Sequence, residues 1–123
     1  MKTTNIIFIC SVILFLSCDK GSLVAPELTL PQNGSTSIWP PITFSWEAIS
    51  DATSYEIEAR WSYHGENGDY LIKSGIMDNS FTDNSFDNVW DGRTVYWRVR
   101  AVNKSKTGPW SGEWAFELND DYN

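Results

Sequence analysis

The sequence predicts an all-β protein, a β-sandwich of seven antiparallel strands. Between residues 27 and 118, short runs rich in β-branched and aromatic side chains alternate with turn signals made of Gly, Pro, Asn and Asp. Apolar residues in this region do not recur with a helical period. No proline interrupts the seven runs, as strands inside a sheet require, and seven strands in a chain of this length indicate two packed antiparallel sheets.

The first three predicted strands follow from the alternation of apolar and polar side chains. Residues 27–30 form a short strand that ends at the turn sequence Pro-Gln-Asn-Gly, residues 31–34. Residues 42–47 and 54–61 form the next two strands, because every second side chain in each is apolar. The side chains predicted to face the core in these two strands are Ile42, Phe44, Trp46, Tyr55, Ile57, Ala59 and Trp61.

The last four strands are separated by longer connections. The loop 63–69 contains Asn67-Gly68, a hairpin signal that predicts a turn before the fourth strand. The longest strand alternates Trp97, Val99 and Ala101 on one face with Tyr96, Arg98 and Arg100 on the other, and the final strand places Trp114, Phe116 and Leu118 on one face. These four strands cover residues 70–73, 79–82, 94–102 and 113–118.

Several segments together resemble a fibronectin type III domain. The resemblance covers residues 26–118 and implies an immunoglobulin-like scaffold that serves binding, with no catalysis and no cofactor. The segment Thr43-Phe44-Ser45-Trp46, for example, is similar to the family's second strand with its buried tryptophan. The other segments that resemble the family are residues 26–34, 52–58, 92–103 and 108–111.

One position departs from this family. The alignment places Val95 where the family has its corner tyrosine, so that Tyr96 faces outward and Trp97 inward. Two alternatives remain open: the corner hydrogen bond is missing, or a bulge of one residue lets Tyr96 make it.

The first residues have the pattern of a secretory signal peptide. One lysine precedes an apolar run from residue 6 to 16, which as a helix would rise roughly 16 Å, too little for a lasting transmembrane span. The sequence Phe-Leu-Ser-Cys that ends at Cys18 resembles the lipobox of bacterial lipoproteins, with Phe15 in place of the usual leucine. This resemblance implies cleavage before Cys18 and acylation of its thiol, for example with palmitate. Ordinary secretion with cleavage near Ser17 is the alternative.

This interpretation divides the chain into four parts. Residues 1–17 are the signal peptide, 18–25 a tether, 26–118 the domain and 119–123 an acidic tail expected to fray. An eight-residue tether reaches at most about 28 Å, which places the domain close to the membrane. The expected location is the bacterial cell envelope, with the outer membrane favoured over the inner, although Asp19 after the anchor retains lipoproteins in the inner membrane of enteric bacteria.

Composition limits the chemistry. Sixteen Asp and Glu against nine Lys and Arg give a net charge of −7, which disfavours nucleic acid and anionic lipid headgroups as partners. Cys18 would be the only cysteine after cleavage, and His64 is the only histidine, so no disulfide, cysteine cluster or multi-histidine centre is expected. The Asp-Asn-Ser-Phe sequence at 78–81 recurs at 83–86 and offers oxygen ligands for Ca²⁺, but the EF-hand spacing fails. We therefore predict no enzyme, no cofactor and no metal.

Two groups of aromatic residues are candidates for function or stability. Trp61, Tyr63, Tyr70 and Trp39 are candidates for a face that binds a protein partner or stacks on sugar rings, the alternative being that Trp61 and Tyr70 pack at the sandwich edge. The segment Trp-Ser-Gly-Glu-Trp, residues 110–114, resembles the Trp-Ser-x-Trp-Ser element of cytokine-receptor fibronectin domains, with Ala115 replacing the last serine. This resemblance implies a structural ladder in which arginines stack on tryptophans. The ladder residues would be Arg98, Arg100, Trp110 and Trp114, although strand alternation buries Trp114.

The sequence thus predicts a lipid-anchored binding or adhesion module of the envelope, with a protein as its partner. The alternative is a carbohydrate-binding accessory module of a glycan uptake or degradation system.

Overall fold

A computed structural model describes residues 23–85 and 91–120. In these two ranges no helix is long and apolar enough to cross a bilayer. The strands found there are β1 (Leu28–Leu30), β2 (Ser35–Ile38), β3 (Ile42–Trp46), β4 (Ser54–Tyr63), β5 (Glu66–Ile76), β6 (Ser80–Asp83), β7 (Thr94–Asn103), β8 (Lys106–Thr107) and β9 (Trp114–Leu118).

The strands form two sheets that face each other. The smaller sheet has the order β1-β3-β6 and the larger the order β2-β9-β7-β4-β5, with β8 added to β7. All pairs are antiparallel except β2 with β9, which is parallel. The prediction of an all-β sandwich of two sheets is confirmed. It lacked only β2 and β8, two short strands whose polar sequences carry no alternating pattern.

Large aromatic side chains fill the space between the sheets. The Phe44 ring of β3 meets the Trp97 ring of β7 edge-on at 5.0 Å and lies 6.0 Å from the Phe116 ring of β9. Such edge-to-face pairs add about 0.5–1.5 kcal/mol to the free energy that burial contributes. The predicted inward face of β3, β4 and β7 is buried as expected, except that Trp61 is only half-buried.

The hairpin between β4 and β5 turns at His64-Gly65, so the predicted turn at Asn67-Gly68 is wrong. His64 has φ 48° and Gly65 φ 82°, the two positive angles of a tight type I′ turn. Asn67 and Gly68 lie inside β5, where Gly68 pairs with Trp61. A side chain at position 68 would crowd the indole, since an added Cβ would lie 3.0 Å from Trp61 Nε1 and the ring would have to shift slightly. Gly68 therefore serves side-chain packing and not the turn.

The two alternatives for the corner tyrosine are now decided. The pairing of β4 with β7 runs without a break from Ser54 opposite Val102 to Ser62 opposite Thr94, which leaves no bulge. Val95 is fully buried, and the ring of Tyr96 lies on the outer face under the guanidinium of Arg60, 4.6 Å away. Tyr96 thus does not take over the corner hydrogen bond.

Both boundaries of the domain differ from the prediction. Leu23, predicted as tether, packs against the core. Asn119, predicted as frayed tail, is 3% exposed, and its N–H donates to the Ile38 carbonyl at 3.0 Å, because β2 extends the sheet beside the end of β9. The leader, Cys18 and residues 121–123 lie outside the described residues.

Candidate functional site

Four strands bring the candidate residues to one end of the sandwich, which we call the distal end and define by Trp39, Tyr63, His64, Asp91 and Arg93. The N–H of Leu118 donates to the Arg93 carbonyl, and the N–H of Asn119 donates to the carbonyl before Trp39, both at 3.0 Å. These bonds hold the chain around Trp39, at the end of β2, and the chain that leads into β7 on opposite sides of the end of β9. β4 also ends here, at Tyr63.

A two-residue fork fixes Arg93 at the distal end. Its Nε donates to Asp91 Oδ1 at 3.0 Å, its Nη2 to Oδ2 at 2.7 Å, and its backbone N–H to Oδ1 at 3.2 Å. Gly92, with φ 74°, makes the turn that permits this contact. The hydrogen bonds from Arg93 hold the pKa of the Asp91 carboxyl below its usual value, and Asp91 in turn raises the pKa of Arg93. Both groups therefore stay charged, and the guanidinium is held in one place.

The guanidinium of Arg93 lies on aromatic rings. Its Cζ is 4.5 Å from the centre of the Trp61 indole and 6.0 Å from that of the Tyr63 ring. Gly68 contacts the same indole from the β5 side of β4, whereas Arg93 approaches from the β7 side. Arg93 covers one face of the Trp61 ring, and packing against the core leaves the residue half-buried.

Tyr70 also packs inside the sandwich rather than on a binding face. Its hydroxyl donates to Asp83 Oδ2 at 2.5 Å, and its ring lies 6.4 Å from Phe44. The backbone N–H and hydroxyl of Ser85 donate to the same oxygen at 3.0 and 2.6 Å. This buried carboxylate joins β5 to the end of β6. For Tyr70 and Trp61, the structure shows the alternative that the sequence left open, packing at the sandwich edge.

Three predicted or neighbouring residues remain accessible at the distal end. Trp39 is 54% exposed, His64 is exposed and Tyr63 is half-buried, with the His64 ring edge-on to the Tyr63 ring at 4.1 Å. Sequence reasoning missed Asp91 and Arg93 as the support beneath them. The available signal was a pair of opposite charges on either side of a glycine.

The predicted arginine–tryptophan ladder forms on the outer face of the larger sheet, around Trp110. Arg98 Cζ and Arg100 Cζ lie 4.4 and 4.5 Å from the centre of its ring. Cross-strand carboxylates of β4 hold both arginines, Glu58 at 3.2 Å from Arg98 and Glu56 at 2.7 Å from Arg100. Paired charges of this kind stabilise the sheet and leave little for a ligand.

Trp114 does not join the ladder. It packs edge-on against Trp97 of the core, with ring centres 6.3 Å apart and an interplanar angle of 89°. The reason is strand alternation, which places Trp114 on the same face as the buried Phe116. The buried Ser111 anchors the preceding segment, since its hydroxyl accepts the Val99 N–H at 3.0 Å.

Among the residues with described positions, no group of three or more His, Cys, Asp and Glu side chains could hold a metal ion. Asp83 belongs to the segment that suggested Ca²⁺, but its carboxylate accepts hydrogen bonds from Tyr70 and Ser85. Residues 86–90 of that segment lie outside the described ranges.

Comparisons with known proteins add a resemblance of shape. No family model and no curated protein matches the chain. A solved Fn3-like protein from Clostridium thermocellum is similar over 82% of this chain and 95% of that chain, with a TM-score of 0.49 and 16% identity. The order of strands in the two sheets assigns the fold class without this similarity.

Proposed function

We propose that this protein is a non-enzymatic, lipid-anchored binding module of the bacterial cell envelope that contacts a protein partner through its distal end. The observation that carries the proposal is that accessible rings share this end, the exposed Trp39 after β2 and the Tyr63–His64 pair at the end of β4, where Arg93 of the Asp91–Arg93 fork lies 6.0 Å from the Tyr63 ring. Trp, Tyr and Arg supply most binding energy at protein interfaces. Because the Asp91–Arg93 fork is already rigid, less conformational entropy is lost when a partner binds.

A protein partner is favoured over a glycan because of how Trp61 is packed. A sugar ring stacks on an open aromatic face, but Arg93 covers one face of this indole and the residue is half-buried. An exposed tryptophan after β2 and a half-buried tyrosine beside the β4–β5 turn, at the same end of the sandwich, instead suit a partner that buries them in pockets. A glycan ligand is the competing outcome of the test below.

The lipid anchor is supported by the sequence around Cys18. The apolar run that ends in Leu-Ser-Cys has the small residue and cysteine that lipoprotein processing requires, and Leu23, five residues after Cys18, packs against the core of the domain. Two or more acyl chains anchor a protein stably, whereas one binds only marginally. We place the protein in the envelope, and in the outer membrane rather than the inner.

A pair of cysteine variants tests the anchor. Cys18→Ala should abolish incorporation of labelled palmitate and release the protein from washed membranes. Cys10→Ala, which changes the cysteine inside the signal peptide, should leave both unchanged. Palmitate labelling that survives Cys18→Ala would contradict the anchor.

A matched pair of surface variants tests the binding end. The full chain, immobilised and exposed to envelope extract, should capture a protein that mass spectrometry identifies. Trp39→Ala should weaken this capture by roughly 30-fold, the effect of losing about 2 kcal/mol at an interface hot spot. Ile72→Ala removes an apolar side chain that is 72% exposed on β5 and serves as the control. Equal losses in both variants, or binding to a glycan array with no protein captured, would contradict the proposal.

A further inference from the structure

The chain enters the domain at the end opposite to the distal end, which we call the entry end. Leu23 packs there against Gly108, since a Cβ added to Gly108 would lie 2.8 Å from the Leu23 Cβ. β4 begins at this end and β7 finishes here, whereas both strands meet the distal end with their other termini. A hollow at the entry end is lined by Leu23, Asp51, Asn103, Lys104, Ser105 and Lys106.

The turn between β7 and β8 is fixed at the entry end. The Asn103 side chain donates to the Asp51 carbonyl at 2.6 Å, and the Lys104 N–H donates to the Thr53 hydroxyl at 3.2 Å. The side chains of Lys104 and Lys106 are both exposed beside the entering chain. The two amines therefore project from a rigid support close to Leu23.

Exposed apolar side chains lie at the same end. Val24 follows Leu23 and is 58% exposed. Met77, which is 77% exposed, follows β5 where Ile76 pairs with Tyr55 near the start of β4. Methionine and valine side chains can enter the interfacial region of a bilayer, while lysines keep their amines at the headgroups. Asp51 offsets part of the lysine charge, so the anchor and not electrostatic attraction holds this end in place.

The length of the tether decides the orientation. Five residues from Cys18 to Leu23 reach at most about 18 Å. β4 and β7 contain ten residues each, so the sandwich is roughly 33 Å long. A tether shorter than the domain cannot turn the domain over, because Leu23 at the entry end would then have to lie a whole domain length away from the membrane.

We infer that the entry end, with Val24, Lys104 and Lys106, lies against the bilayer that holds the acylated Cys18, and that the distal end points away from it. This inference rests on the proposed lipid anchor. It adds a partner for the entry end, the lipid headgroup region, and it explains why the accessible aromatic residues are at the opposite end.

Fluorescence quenching by lipid tests the orientation. The full lipidated chain carries one added cysteine, either Ser105→Cys at the β7–β8 turn or Glu66→Cys beside the distal turn, labelled with an environment-sensitive fluorophore. Each protein is reconstituted into phosphatidylcholine vesicles that contain a minor fraction of lipid with a nitroxide headgroup. Quenching should be several-fold stronger at position 105 than at position 66. Both variants should keep the melting temperature of the unlabelled protein.

The two ways of failing are distinct. If the protein is acylated and stays with the vesicles, but quenching is equal at both positions or stronger at 66, the orientation is wrong and the anchor stands. If the chain takes up no palmitate and does not associate with vesicles, the anchor is wrong and the orientation falls with it. A Cys18→Ala protein labelled at either position provides the baseline without an anchor.

Discussion

Arg98→Ala should lower the free energy of unfolding by about 1 kcal/mol. The substitution removes a guanidinium 4.4 Å from the Trp110 ring and an ion pair with Glu58 at 3.2 Å. An exposed cation–π contact contributes about 0.5–1 kcal/mol, and an exposed ion pair about 0.2–1 kcal/mol. We take the lower part of both ranges because the Arg98 and Glu58 side chains are 36% and 40% exposed. In a domain of this size, 1 kcal/mol lowers the melting temperature by roughly 4–8 °C.

Thermal and urea denaturation followed by circular dichroism measure this change. Glu58→Ala removes only the ion pair and should cost less, while Lys106→Ala, an exposed residue on β8, should leave the melting temperature unchanged. A double-mutant cycle of Arg98→Ala with Trp110→Ala isolates the ring contact, with an expected coupling energy of about 0.5 kcal/mol or more. A coupling energy of zero would refute the reasoning, because the stacked geometry would then contribute nothing to stability.

Three further changes test other contacts. Arg93 lowers the pKa of Asp91 in the folded state. The stabilisation that the ionised Asp91 contributes is therefore complete above about pH 4 and is lost as the pH falls through the folded pKa. Asp91→Asn should remove this contribution to the pH dependence of urea midpoints measured between roughly pH 2 and pH 6. Gly68→Ala should displace the Trp61 indole, since the new Cβ would lie 3.0 Å from its Nε1, and should lower the melting temperature with a change in tryptophan fluorescence; unchanged spectra would contradict the packing. Tyr70→Phe removes a donor to a buried carboxylate and should cost about 1–3 kcal/mol by urea denaturation, whereas an unaltered midpoint would show that the hydrogen bond contributes no net stability.

Strand alternation made most of the fold predictable. In β3, in most of β7 and in β4 as far as Ala59, every second residue is buried, so a period of two in hydrophobicity identifies both the strand and its inner face. The same rule places Trp114, which lies in β9, on the core side of the sheet and away from the ladder. Trp110 precedes β9, so the alternation of that strand does not fix its side chain, and it stacks with the arginines. Predictions that rest on burial of one face succeeded, since the gain from burying apolar area acts along the whole strand.

Predictions that rest on a dipeptide were weaker. Asn67-Gly68 has the sequence of a turn, but extending β4 and β5 by several further pairs outweighs the preference of two residues. His64 accepts a positive φ as part of that arrangement. The Asp91–Arg93 fork was beyond the sequence for a different reason. Its importance depends on Trp61, thirty-two positions away from Arg93 in the chain, and only the sheet order brings the two together.

The outer face of the larger sheet and the distal end use the same contacts for different purposes. On the sheet face, Arg98 and Arg100 enclose Trp110 and are paired with glutamates of β4, so that both charges and ring are satisfied within the protein. At the distal end the arginine and the inner tryptophan are satisfied in the same way, but Trp39 remains exposed at the cost of apolar surface in water. A folded domain gains nothing from that exposure by itself. The proposed function, a module that meets its partner away from the membrane, would account for a tryptophan exposed at the end farthest from Leu23.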